Sequence, residues 1–221
     1  MPAIHTVKGT CVPVEFVVLG PLENNVYLIG DGAATFAVDP TCTPEAILEA
    51  LGGRTLDAIV LTHRHFDHVG AACALREATG AVVIASAVDA PAIDGTLPVP
   101  HGERPFQACP VDQPVEDGAV LKIGNMAWKV LFTPGHTKGS MCLFLVPEFG
   151  TDPAGSPVLV AGDTLFEGSI GRTDFEGGSM DDMRASLKRL ALLPDDTIVL
   201  PGHGPQTTIE AERRRVFARY A

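Results

Sequence analysis

The chain has 221 residues, enough to bury one substantial hydrophobic core, and we expect residues 1–221 to form a single domain. Its 27 acidic and 16 basic side chains give a formal net charge of −11 at pH 7. This balance disfavours the basic surface that nonspecific nucleic-acid binding requires, so no nucleic-acid partner is expected.

The cysteines are few, odd in number and scattered, with no CxxC pair. Such a set is typical of reduced thiols in a cytoplasmic protein. The N-terminal residues lack a basic segment followed by an apolar one, and the apolar runs are too short to span a bilayer. We therefore expect a cytoplasmic protein without a membrane partner. The cysteines are Cys11, Cys42, Cys73, Cys109 and Cys142.

Short β-branched and apolar runs bounded by Gly, Pro, Asp and Asn predict nine strands. Helical periodicity predicts four helices, the first of them with Thr43 and Pro44 at its start. Strands in runs with interspersed helices indicate two stacked sheets covered by helices. The predicted strands cover residues 16–19, 26–29, 35–38, 58–61, 82–85, 126–132, 141–146, 158–161 and 197–200. The predicted helices cover residues 44–51, 69–78, 180–192 and 208–220.

The segment that follows predicted strand 58–61 reads Thr-His-Arg-His-Phe-Asp-His and is rich in metal-ligand side chains. In an extended turn, residues two apart point to the same side, so His63 and His65 can face one ion. On a helix they would lie about 200° apart. Asp67 and His68 open the next element and face a neighbouring point. Because imidazole and carboxylate groups suit zinc or another divalent ion, the motif predicts two adjacent metal positions.

Three later strands end in the same way, each followed at once by a ligand-type side chain. Because strands are rigid, the side chains that follow them can be held in fixed positions around one shared cleft. The Pro-Gly pairs in two of these turns allow the backbone to turn sharply and approach an ion. The side chains are His136 in Thr-Pro-Gly-His, Asp163 in Gly-Asp and His203 in Pro-Gly-His.

The motifs THRHFDH, PGHT, GDT and PGHG occur in the order typical of the metallo-β-lactamase superfamily, which the chain resembles over most of its length. The resemblance implies an α/β fold, an αββα sandwich of two mixed β-sheets flanked by helices, with two divalent metal ions at one sheet edge. We expect Zn²⁺, with iron or manganese as alternatives. The implied ligands are His63, His65 and His136 for one ion and Asp67, His68 and His203 for the other, with Asp163 bridging them.

The runs PGHTKGS and GSIGRTDF resemble the glyoxalase II-like (hydroxyacylglutathione hydrolase-like) branch, in its short single-domain bacterial form. This implies a thioesterase that cleaves a small-molecule substrate such as S-D-lactoylglutathione, with a metal-bridging hydroxide as nucleophile and Asp67 orienting it. Two-domain glyoxalase II enzymes continue after the last metal histidine into a helical domain that supplies basic residues to glutathione. Here residues 204–221 follow His203, so we expect no separate C-terminal glutathione-binding domain.

The resemblance points to Arg172, and position beside the ligands points to four further side chains around the site. Arg172 is expected to contact the substrate, with a salt bridge to Asp174 as the alternative reading. Lys138 is a second candidate contact, with a solvated surface position as the alternative. Residues expected to hydrogen-bond the imidazoles of the ligands are Asp39, Thr62 and Thr137.

Other activities on the same fold stay open. Persulfide dioxygenases share a GRTDF-like run but use a single iron, and they carry Asp-Tyr-like residues after the final histidine, where this chain has Gly204 and Pro205. A lactonase or another ester hydrolase would use the same nucleophile. A noncatalytic scaffold would have lost ligands, and none is lost. The sequence carries no signal for an oligomeric state.

Overall fold

Two mixed β-sheets stack face to face in the computed structural model, which describes residues 3–145 and 152–221. Helices cover the outer face of each sheet, as the three separate hydrophobic clusters show. The predicted αββα sandwich is confirmed.

The first sheet has seven strands in the order of the chain, β1 to β7. The strands from β1 to β4 pair antiparallel, and those from β4 to β7 pair parallel. Their bounds are β1 His5–Val7, β2 Val14–Leu19, β3 Asn24–Gly30, β4 Thr35–Val38, β5 Ala58–Leu61, β6 Val82–Ser86 and β7 Gln113–Val115.

The second sheet has six strands in the order β15-β14-β11-β10-β9-β8, and only β11 and β14 among these pair parallel. Strands β12 and β13 form a small separate ribbon. The bounds are β8 Val120–Ile123, β9 Met126–Phe132, β10 Met141–Leu145, β11 Val158–Gly162, β12 Leu165–Phe166, β13 Ser169–Ile170, β14 Ile198–Pro201 and β15 Thr207–Thr208.

The helices are mostly short, and the chain ends in a helical segment whose middle is a π-helical turn, Arg213–Phe217. Helices α1 and α3 pack on the first sheet, and α5 packs on the second. No helix of the described residues is long and apolar enough to cross a membrane. The bounds are α1 Pro44–Leu51, α2 Phe66–Val69, α3 Ala72–Thr79, α4 Ala90–Ile93, α5 Met180–Leu190, α6 Ile209–Glu212 and α7 Ala218–Tyr220.

The side-chain alternation of strand β3 shows how the layers form. Val26 and Leu28 pack toward the helices, whereas Tyr27 and Ile29 pack between the two sheets. Because successive strand residues point to opposite faces, one apolar strand contributes side chains both to the core between the sheets and to the core under the helices. Across the inner core, Phe36 contacts Trp128 edge-to-face, with ring centroids 5.4 Å apart.

The structure departs from the predicted elements in two helical regions and in short elements that were not predicted, among them β8 and α4. The segment predicted as helix 69–78 contains the last residue of α2 and most of α3, with a break at Gly70 and Ala71. A Cβ at Gly70 would collide with the Thr41 carbonyl oxygen. The backbone passes so close to Thr41 there that only glycine fits. The segment predicted as helix 208–220 contains the π-helical turn. Residue 146, the end of predicted strand 141–146, lies outside the described residues.

Candidate metal centre

Three histidines from two strand ends form what we call the three-histidine cluster: His63, His65 and His136. His63 and His65 follow β5, and His136 follows β9. His65 Nδ1 lies 2.8 Å from His136 Nε2, and the ligand atoms of all three lie within 4.8 Å of one another. His63 Nε2 is buried and makes no hydrogen bond to any described residue. Three converging imidazole nitrogens fit one divalent cation.

A second group, the mixed cluster, consists of Asp67, His68 and His203. Its ligand atoms also lie within 4.8 Å of one another. Asp67 Oδ2 lies 3.3 Å from His203 Nε2 and 3.5 Å from His68 Nε2. Asn24, at the start of β3, donates from Nδ2 to the same oxygen at 3.1 Å. One carboxylate and two imidazoles make a second donor set for a divalent ion.

Asp163, directly after β11, contacts both clusters. Its Oδ1 lies 3.4 Å from His68 Nε2, and its Oδ2 lies 3.6 Å from His136 Nε2 and 3.5 Å from His203 Nε2. Its Oδ1 is buried without a hydrogen-bond partner among the described residues. The carboxylate therefore lies where a ligand shared between two ions would lie.

Four of the imidazoles are oriented through the ring nitrogen that faces away from the clusters. Each donates from Nδ1 to a fixed acceptor, which leaves Nε2 as the ligand atom. The pairs are His63 with Thr62 Oγ1 at 3.0 Å, His68 with Asp39 Oδ2 at 2.9 Å, His136 with the Arg172 carbonyl at 2.7 Å, and His203 with the Leu22 carbonyl at 2.9 Å.

The three residues proposed to support the imidazoles differ in what they contact. Thr62 donates to Asp39 Oδ2 at 2.6 Å, so its oxygen accepts from His63. Asp39 also accepts from the Thr62 backbone N–H at 2.8 Å. Thr137 differs from the expectation, because its hydroxyl donates to Asp89 at 2.7 Å. It thus stabilises the turn that carries His136 rather than an imidazole.

Burial and mutual contacts shift the pKa values of the ligand side chains, and metal binding at the mixed cluster would release the proton that His203 carries. Burial, together with the neighbouring imidazoles of His68 and His136, holds the pKa of His63 well below its usual range, so its ring is neutral. Burial disfavours charge on Asp163, but the adjacent His68 and His203 hold the pKa of that carboxyl well below its usual range. Burial likewise opposes charge on His203, yet Asp163 and Asp67 raise its pKa to about 10.

Gly202, in the turn before His203, has no room for a side chain. A Cβ at this position would meet Asp163 Oδ1 and would lie 2.7 Å from His68 Cε1. We expect Gly202→Ala to displace these two ligands and to weaken metal binding at least ~10-fold in a chelator competition. Gly204→Ala is the control for backbone strain without a steric clash, since φ there is +73° and a Cβ meets no atom within 4 Å. Equal metal affinity in both variants would contradict this geometry.

Above the clusters lies a cavity of about 760 Å³. Asp67, His136, Asp163 and His203 lie on its lining together with apolar, aromatic and charged side chains. A mostly apolar cavity with convergent polar groups is typical of a small-molecule site. The other lining residues are Leu22, His65, Phe66, Gly102, Glu103, Arg104, Pro105, Phe166, Gly171, Arg172 and Phe175.

The two predicted substrate contacts lie in different places. Arg172 lines the cavity, pairs with Asp174 at 2.6 Å and stacks over Phe175 at 3.7 Å, so the salt-bridge reading is realised and its contact with substrate stays a prediction. Lys138 is exposed and lines a separate cavity of about 180 Å³. Its role as a substrate contact stays a prediction.

Sequence reasoning missed the cavity residues of the long segment between α4 and β7. Glu103 and Arg104 lie there, in a stretch whose Pro, Gly and polar residues give no sign of the cavity wall. Asn24 was missed as well. A polar residue at the start of a strand is usually a turn signal, and nothing local ties it to Asp67, 43 residues away.

The donors present fit two divalent ions: two clusters of ligand atoms, a carboxylate between them, and buried ligand atoms without other partners. Fold and donor set together define a metal-binding αββα protein. The profile of the metallo-beta-lactamase superfamily matches residues 19–203, and the chain belongs to this superfamily.

Two relatives cover nearly the whole chain. It is 33% identical over 201 residues to the probable metallo-hydrolase YqgX of Bacillus subtilis, spanning 88% of this chain and 92% of the relative. It is 31% identical over 211 residues to the hydroxyacylglutathione hydrolase GloC of Haemophilus influenzae, spanning 91% and 95%. These similarities support a metal-dependent hydrolase.

Solved structures agree in fold. The B3 metallo-β-lactamase BLEG-1 matches with a TM-score of 0.79 and 34% identity over 92% of this chain and 98% of that one. TTHA1623, solved in a di-iron-bound form, matches at 0.72 and 37% over 90% and 97%. ETHE1 of Myxococcus xanthus matches at 0.72 and 30% over 94% and 84%. The family and the His/Asp clusters indicate divalent metal binding.

Proposed function

We propose that this protein is a dinuclear metal-dependent hydrolase that cleaves a thioester such as S-D-lactoylglutathione. The observation that carries the proposal is the pairing of the two ligand clusters through Asp163 on the lining of a substrate-sized cavity. The similarity to GloC, a hydroxyacylglutathione hydrolase, supports the choice of substrate.

In this proposal the three-histidine cluster holds one ion, the mixed cluster holds the other, and Asp163 contacts both. Zn²⁺ suits the donor set, and the di-iron form of TTHA1623 makes iron the alternative. Bound there, the ions supply Lewis acidity that polarises a carbonyl and lowers the pKa of water from ~15.7 toward ~7.

Asp67 orients the attacking water. Its Oδ2 is held by Asn24 at 3.1 Å and lies 3.3 Å from His203, so the carboxylate has little freedom to rotate. Asp67 also lines the cavity, where it can accept a hydrogen bond from water beside the scissile carbonyl. Because a thiol is much more acidic than an alcohol, it can leave as a thiolate anion. The site therefore needs no strong general acid to protonate the leaving group.

The cavity walls suit a substrate with an apolar or extended body and an anionic group. Phe66, Phe166 and Phe175 supply aromatic surface. Arg104 lies over the Phe66 ring at 5.0 Å, as Arg172 lies over Phe175. Arg172 is paired with Asp174, whereas Arg104 forms no ion pair with a described residue and so favours a substrate that carries a carboxylate.

Thiol release from S-D-lactoylglutathione by the metal-loaded protein tests the proposal. We expect release of glutathione that stops on addition of a chelator and returns when the metal is restored. A protein that is fully loaded and inactive on this and other thioesters would contradict it.

Arg104 gives a sharper test of the substrate. Arg104 forms no ion pair with any described residue, so its guanidinium is available to a ligand. We expect Arg104→Gln to raise KM about 10-fold for a thioester bearing carboxylates, about 1.4 kcal/mol, with kcat little changed. A neutral thioester should show no such change. Arg184→Gln, exposed on α5, is the control for loss of one positive charge. Equal effects on both substrates would exclude a carboxylate contact.

The match to BLEG-1, a B3 metallo-β-lactamase, favours a second candidate, hydrolysis of a β-lactam or lactone at the same centre. Both reactions place developing negative charge on a carbonyl oxygen. Competition between a β-lactam and a thioester distinguishes them, because the better substrate has the higher kcat/KM.

A further inference from the structure

Behind the three-histidine cluster lies a buried charge network centred on Arg64, the residue between His63 and His65. Its guanidinium contacts Asp89 Oδ1 at 3.1 Å and Glu103 Oε1 at 2.6 Å. The three side chains are 6%, 2% and 4% exposed, so the network is shielded from water. One cation between two carboxylates leaves one buried negative charge without a cationic partner inside the network, an arrangement that needs compensation.

Glu103 faces His65 on the side opposite the metal cluster. Its Oε1 lies 3.5 Å from His65 Nε2. Two atoms of this pair, His65 Nε2 and Glu103 Oε2, are buried without a hydrogen-bond partner among residues 3–145 and 152–221. A buried imidazole N–H and a buried carboxylate side by side are each other's natural partners.

His65 also differs from the other ligand histidines in the nitrogen it presents. His63, His68, His136 and His203 use Nδ1 for a supporting contact, whereas His65 directs Nδ1 toward His136 Nε2. It can bind an ion through Nδ1 only as the tautomer that carries its proton on Nε2. That tautomer requires an acceptor on the Nε2 side, and Glu103 is the carboxylate there.

We infer that Glu103 is the positioning residue for His65: it accepts a hydrogen bond from Nε2–H and fixes the tautomer and ring orientation that direct Nδ1 to the ion. Its negative charge also offsets the positive charge of that ion. Arg64 holds Glu103 in place and also donates to the Glu176 carbonyl at 2.9 Å. The segments that carry Glu103 and Glu176 are therefore both bound to Arg64. The inference rests on the ligand assignment proposed above and is independent of the substrate.

The experiment compares two variants that each remove one carboxylate charge from Arg64. Glu103→Gln changes the group that faces His65, and Asp89→Asn changes the group that does not. Zn²⁺ affinity is measured by chelator competition, and unfolding temperature by circular dichroism. We expect Glu103→Gln to weaken the binding of one of the two ions about 10- to 100-fold and to leave the affinity for the other ion unchanged. Asp89→Asn should lower the unfolding temperature, and its effect on metal affinity should be smaller than that of Glu103→Gln, because Asp89 reaches the cluster only through the Thr137 and Arg64 backbone turns.

Wild-type affinity for both ions in Glu103→Gln would overturn the inference, as would an equal selective loss in Asp89→Asn. A wild-type chain that binds fewer than two ions would instead contradict the ligand assignment.

A second measurement needs no variant. In the zinc-loaded wild-type protein, long-range ¹H–¹⁵N spectra should show His65 ligated at Nδ1, with an Nε2–H that exchanges far more slowly than that of the exposed His101. Ligation through Nε2, or exchange as fast as at His101, would also overturn the inference.

Discussion

Replacing Asp163 by Asn is expected to weaken binding of both ions and to lower hydrolysis by more than ~100-fold, the upper range for groups that only support a ligand. Asp163 lies within 3.4–3.6 Å of imidazoles from both clusters, so one substitution reaches both ions. Asn keeps the shape of the side chain but loses the charge that two cations require.

Metal stoichiometry and kcat/KM check this prediction together. Asp181→Asn is the matched control, because it makes the same chemical change on the exposed side of α5. A variant at Asp163 that keeps two ions and full activity would show that the carboxylate is not shared between them.

Removal of the metal is expected to lower the unfolding temperature by roughly 5–10 °C. A free ion concentration 100 times Kd stabilises the folded state by ~2.7 kcal/mol, and each kcal/mol moves the unfolding temperature of a chain this long by ~2–4 °C. The physical reason is local: His63 Nε2 and Asp163 Oδ1 are buried ligand atoms without other partners among the described residues.

Differential scanning calorimetry of the chelated and reloaded protein measures this shift. The Asp163→Asn variant, treated identically, should show a much smaller one. Identical unfolding temperatures in the wild type with and without metal would contradict the placement of the ions in the buried clusters.

The candidate ligands could be predicted from the sequence because each lies a few residues after the end of an apolar strand. The turn after β5 supplies four of them within six residues, and β9, β11 and β14 each deliver one more. Local chemistry and strand geometry were sufficient there, since β9, β11 and β14 run in the same direction in the second sheet and so end at the same edge.

The supporting residues could not be predicted in this way, because their roles depend on contacts far apart in the chain. Asn24 approaches His203, 179 residues away, and Arg64 contacts Glu103, 39 residues away. Glu103 and Arg104 follow no strand or helix pattern, so only the folded chain shows that they form part of the cavity wall.

The strands likewise differ in how well the sequence predicts them. Long apolar runs such as β9 and β11 were predicted closely, whereas β8, four residues of which only alternate ones are buried, was not. Its pairing with β9 across a tight turn makes it a strand. Short edge strands depend on a partner more than on their own propensity.

Titration of the metal-free protein with Zn²⁺, with S-D-lactoylglutathione hydrolysis and oxygen uptake followed in parallel, tests the central claim most directly. We predict that activity rises to a plateau at about two ions per chain, that one thiol is released per thioester cleaved, and that no oxygen is consumed. A protein that binds two ions and leaves the thioester intact, or one that consumes oxygen and forms sulfite from glutathione persulfide with a single iron, would contradict the account.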